Sequence, residues 1–131
     1  MKASKAQFNR FIKSFFEMMK REKRYQWSLI GSFVLFVLTL ALPIWKILPM
    51  ASVSPFIPLH YNVLFGIDRF GPWYAIFWIP GLGFASLIAN TVLSTFVYHQ
   101  EKFMSTLLMI GSLFVQLTLL CSMTLIVLVN L

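Results

Sequence analysis

Three apolar runs, each long enough to cross a lipid bilayer, constrain this chain more than any other feature of its sequence. The first extends from about Trp27 to Leu48, and Ser28 to Leu42 within it carry no charge at all. The second runs from about Trp73 to Tyr98 and the third from about Phe103 to Leu128. Roughly twenty apolar residues in a helix span the hydrocarbon core. Of the 131 residues, 59% are hydrophobic and 11% are charged. A soluble domain carries about a quarter charged residues and could not bury so much apolar side chain at this size. The expectation is one polytopic, all-α membrane protein: an N-terminal amphipathic interfacial helix followed by three transmembrane helices.

Two segments flank these runs. Residues 1–26 form a basic, cytoplasmic segment, and residues 27–131 form the three-helix domain with an extracytoplasmic loop at 49–72. In the first segment Phe8, Phe11, Ile12, Phe15, Phe16 and Met19 recur at the spacing of one helical face. Lys5, Arg10, Lys13, Glu17 and Lys20 fall mainly on the other. Aromatics opposite cations describe a helix lying among lipid headgroups. A charged junction at 21–26 follows, with Tyr25 and Trp27 at the depth of an aromatic belt. The first apolar run begins too far into the chain and is too long for a signal peptide, and is read as a retained anchor.

The net charge of +7 is uneven. Lys2, Lys5, Arg10, Lys13, Lys20, Arg21, Lys23 and Arg24 precede the first run, whereas only Lys46, Arg69 and Lys102 follow. A basic tail suits nucleic acid or anionic lipid; joined to a span, it points to anionic headgroups as partner and not to nucleic acid. The positive-inside rule places the N-terminus and the polar turn His99-Gln100-Glu101-Lys102 in the cytoplasm of a plasma (inner) membrane. The 49–72 loop and the C-terminus then lie outside.

Inside the second run, Pro80-Gly81-Leu82-Gly83 is expected to interrupt the helix or to allow a close helix crossing. Gln116, near the middle of the third run, is expected to face a neighbouring helix. Cys121 is the single cysteine, so no intramolecular disulfide forms, and it reads as a small packing residue.

Chemistry concentrates in the loop. His60 supplies the loop's imidazole, Asn62 can cap a turn, and Gly66 and Gly71 permit positive φ. One His and one Asp are too few for zinc, which takes three or four protein ligands. Ser52 and Ser54 lack a nucleophile elbow. No metal, cofactor or catalytic residue is expected.

Pro58-Leu59-His60-Tyr61-Asn62, followed by Asp68-Arg69-Phe70-Gly71, resembles the signature of the DUF1648 membrane family, which includes SdpI-type immunity proteins. That pattern is roughly Pro-x-His-aromatic-Asn, a Gly, then Asp-x-aromatic-Gly, after a first span. Here Gly66 lies one residue closer to Asp68, and Pro72-Trp73 stand where a Lys often follows. The resemblance implies a small multi-span protein with a motif-bearing outer loop. Some relatives protect cells from secreted peptide toxins or take part in sensing them.

Three functions remain in view. The first is a non-enzymatic membrane protein whose outward loop recognises a peptide or partner protein through Pro58, His60, Tyr61, Asn62, Gly66, Asp68, Phe70 and Gly71. The second is a structural accessory subunit of a larger complex, with Pro80 to Gly83, Gln116 and the amphipathic helix as contacts. The third is a small transporter or channel, which would need oligomerisation and finds no acidic residue in the spans.

Overall fold

The computed structural model describes the backbone of residues 2–62 and 64–131 and the side chains of 5–60 and 64–131. In chain order it comprises helix α1 (Lys2–Arg21), helix α2 (Lys23–Lys46), a 3-10 turn at Leu48–Met50 and strands β1 (Phe56–Asn62) and β2 (Gly66–Pro72). A second 3-10 turn (Trp73–Phe77) leads into helix α3 (Trp78–Val97), and helix α4 (Lys102–Val129) follows. Three helical segments, Lys23–Met50, Trp73–Val97 and Lys102–Val129, are long and apolar enough to cross a membrane.

The three-span expectation therefore holds, with boundaries shifted by a few residues. The charged junction at 21–26 is mostly helical: only Glu22 leaves helical geometry, and α2 starts at Lys23. Pro80 does not break the second span. It lies in the first turn of α3, where the missing N–H would have had no intrahelical partner, so the helix runs unbroken to Val97. The small sheet was not foreseen, because the prolines and the apolar Leu64 and Phe65 mask the turn.

The bundle is apolar outside, and its interior mixes apolar and polar side chains. Ile30, Phe33, Val34, Phe84, Ile88, Phe114 and Leu125 all face outward. The buried positions of α2 are Tyr25, Ser28, Ser32, Thr39 and Pro43, and those of α4 include Ser105, Ser112 and Gln116. Lipid supplies no hydrophobic drive between helices, so small and hydroxylated residues make the close contacts. α4 is the central helix and packs against both α2 and α3 more extensively than those two pack on each other.

Specific bonds set the helix heights. The Ser28 hydroxyl donates to the Met109 carbonyl at 2.6 Å, fixing α2 beside α4. The Ser94 and Ser105 hydroxyls lie 2.6 Å apart, and each reaches the other's carbonyl, which ties the α3–α4 hairpin near its turn. Met18 of α1 inserts its sulfur over this pair, 3.6 Å from Ser94 Oγ. Tyr25 closes the same end, with its hydroxyl 3.0 Å from Thr106 Oγ1 and its ring edge-on to Tyr98.

At the opposite end, Ile47, Ile57, Ile76, Met123 and Val127 form a second apolar cluster, flanked by Leu59 and Trp73. Ile57 carries the hairpin into this cluster. The Trp73 N–H donates to the Pro55 carbonyl, closing the base of the hairpin.

Candidate recognition site

The β1–β2 hairpin is the candidate site. β1 ends at Asn62, and Gly66 opens β2 with φ +75°, a left-handed conformation that glycine adopts without steric penalty.

The antiparallel register pairs Phe56 with Pro72, Ile57 with Gly71, Pro58 with Phe70, Tyr61 with Ile67 and Asn62 with Gly66. It slips locally, where His60 opposes Arg69 and Leu59 and Asp68 have no opposite partner. On either side of the slip, the ladder would set His60 directly against Asp68. Cross-strand neighbours on one face interact through their side chains, and His60 Nδ1 lies 2.7 Å from Asp68 Oδ1. Both side chains remain accessible, at 62% and 39%. So exposed a pair adds little to stability, at most about 1 kcal/mol. Its second ring nitrogen and second carboxylate oxygen leave chemistry for something outside the chain.

Leu59, displaced by the irregularity, packs over Gly71. A Cβ on Gly71 would meet Leu59 Cδ1, so the end of that leucine side chain would have to shift. Beneath His60 and Arg69 is a cleft of about 360 Å³ whose other walls are Leu59, Ala75, Ile76, Trp78, Ile79 and Ile126. It offers a cation and an imidazole at the rim above an apolar floor. Around it Phe56, Phe70, Tyr74 and the turn residues Leu64 and Phe65 are exposed.

Of the loop residues, the structure thus brings His60, Asp68 and the Arg69-lined cleft together, and sets Pro58 and Phe70 as a strand pair beside them. Gly66 and Gly71 act through the backbone. The side chains of Tyr61 and Asn62 lie outside the described residues. Sequence reasoning missed Asn130, whose amide donates to the Pro58 carbonyl at 2.9 Å and to Ile126 at 2.8 Å. It was legible only as a late polar side chain on an apolar helix.

The remaining sites fall elsewhere. Lys5, Phe8, Arg10, Lys13, Lys20, Arg21, Lys23 and Arg24 are exposed at the α1 end, while Phe11 and Phe15 are half-buried. Gln116 is fully buried and donates from Nε2 to the Gly83 carbonyl at 2.7 Å. Gly83 faces this amide, and a Cβ there would stand 3.0 Å from Gln116 Oε1. Pro80 is buried as well. Gly81 instead points away from the crossing, with open space where its Cβ would be, because it sits about a third of a turn from Pro80 on the helix. Among the described residues no three His, Cys, Asp or Glu side chains come together to hold a metal ion.

No family model, curated protein or solved structure matches the chain.

Proposed function

We propose that this chain is a non-enzymatic integral membrane protein whose outward hairpin recognises a peptide or a partner membrane protein. The observation that carries this reading is the accessible His60–Asp68 pair beside the Arg69 cleft. A polar pair that contributes little to folding, on a hairpin anchored by Ile57 and Asn130, is what a rigidly presented contact requires. Among the described residues β2 pairs with β1 alone, so its outer edge is open to an extended segment. The loop's resemblance to immunity-type membrane proteins supports the same reading.

Charge sets the orientation. The eight cations ahead of the first apolar run favour the cytoplasmic face, so the hairpin faces outward across a plasma membrane. Helix α1 then lies among anionic headgroups. It docks on α3 through the flank bearing Phe11 and Met18, with Phe8 lining the edge of that crossing and Ile12 and Phe16 exposed.

The test is purification of the tagged full chain in polymer discs after mild crosslinking. A stoichiometric partner that is lost on His60→Ala and Asp68→Ala, at unchanged protein level, is the expected result. A partner retained in both variants contradicts loop recognition.

An accessory-subunit role is the second reading. A shallow cleft between α2 and α3, lined by Phe36, Leu40, Phe77, Pro80, Gly81 and Phe84, places the outward glycine where a helix of another protein could approach closely. Gln116 is not available to such a partner, since it is spent inside the bundle on Gly83. Partner loss on Gly81→Leu, but not on His60→Ala, distinguishes this reading.

A further inference from the structure

A groove of about 700 Å³ lies at the end opposite the hairpin, in the angle where α1 crosses α3. It has two chemically distinct parts. Phe8 and Phe11 of α1 face Val92 and Phe96 of α3, and the Phe11 and Phe96 rings are 5.4 Å apart. Gln7 and Arg10 line the polar side. The groove is closed by a clip in which His99 Nε2 lies 3.1 Å from the Ser14 hydroxyl and 3.9 Å from Glu17 Oε2. Glu17 already faces His99, so an incoming anion finds its cation in Arg10 rather than in the imidazole.

We infer that this groove is a binding site for one anionic glycerophospholipid of the leaflet that faces the basic N-terminal segment. The phosphodiester sits at Arg10 and Gln7, and the upper part of one acyl chain lies between Phe8, Phe11, Val92 and Phe96. This rests on the membrane placement of α1 and α3 given above, and adds a defined stoichiometric site to it. Three features select this occupant. An apolar wall continuous with a charged rim matches a molecule having both parts. The rim cation is an arginine, whose planar fork pairs with phosphate oxygens in a bidentate manner. The groove belongs to the segment with the highest positive charge density, where anionic lipid is concentrated. Basic pockets beside transmembrane helices are established headgroup sites in general.

The test is native mass spectrometry of the full chain released from detergent after titration with dioleoylphosphatidylglycerol or dioleoylphosphatidylcholine. One phosphatidylglycerol adduct is expected to survive activation that strips phosphatidylcholine. Arg10→Gln is expected to weaken its retention about tenfold, and Arg10→Lys to restore only part of it. Val92→Phe, which fills the apolar wall, is expected to reduce it without touching a charge. Lys102→Gln removes a cation outside the groove and should leave retention unchanged. Equal retention of the two lipids, or equal weakening by Arg10→Gln and Lys102→Gln, overturns the site in favour of diffuse electrostatics. Carbonate extraction from phosphatidylglycerol vesicles separates the two levels. A chain that resists extraction yet holds no lipid overturns the groove alone, and a chain that is extracted overturns the membrane placement with it.

Discussion

At the scale of single residues, the two ends of the molecule spend polar groups differently. Gln116 donates from Nε2 to the Gly83 carbonyl and, at 3.5 Å, to the Ser86 hydroxyl, and leaves Oε1 without a partner among the described residues. Hydrogen bonds between membrane helices average only about 0.6 kcal/mol. Gln116→Leu is therefore expected to change stability by less than about 1 kcal/mol, while Gly83→Ile, which pushes a branched side chain into Gln116 and Leu119, costs about 1–3 kcal/mol. Unfolding in mixed micelles of increasing denaturing detergent measures both. His60 and Asp68 contribute equally little to stability, but from exposed positions. Replacing either leaves that unfolding curve within about 1 kcal/mol of the original, while removing the recognition function. A large loss of stability on Asp68→Ala would show the pair to be structural.

At the scale of elements, the hairpin depends on two glycines for different reasons. Gly66 needs a left-handed backbone, so Gly66→Ala is expected to cost about 1–2 kcal/mol locally. At Gly71 an added Cβ displaces the end of the Leu59 side chain. Gly71→Ala should loosen the strands, and adding Leu59→Ala should recover part of the loss, a non-additivity expected of residues in contact. Amide hydrogen exchange across 56–72 reads both effects, and additive behaviour at Gly71 and Leu59 would contradict the packing. The spans were legible in the sequence because lipid demands long apolar runs, a requirement that tertiary context does not override. The hairpin was not, because Pro55, Pro58 and Pro72 argue against regular strands. Two-stranded pairing becomes stable only once Ile57 and Asn130 dock it on the bundle. The same limit applied to α1: periodicity gave the helix, but its docking flank depends on Met18 meeting Ser94 and Ser105, eleven residues apart around a turn.

At the scale of the molecule, the arrangement has two poles. One carries the basic helix, the Tyr25–Tyr98 contact and the groove between α1 and α3; the other carries the hairpin, with the three apolar helices between them. The functional reading requires these poles to face opposite compartments. Cys121 is the single cysteine and sits on the outward side of α4 within the third span, so Cys121→Ser provides a thiol-free background with one substitution. Ser52→Cys, just before the hairpin, and Gln100→Cys, in the turn between α3 and α4, then report the two sides from exposed positions. In intact cells a membrane-impermeant maleimide is expected to label Ser52→Cys fully and Gln100→Cys only after permeabilisation. Labelling of Gln100→Cys in intact cells with protection of Ser52→Cys would turn the hairpin inward and contradict an outward recognition site.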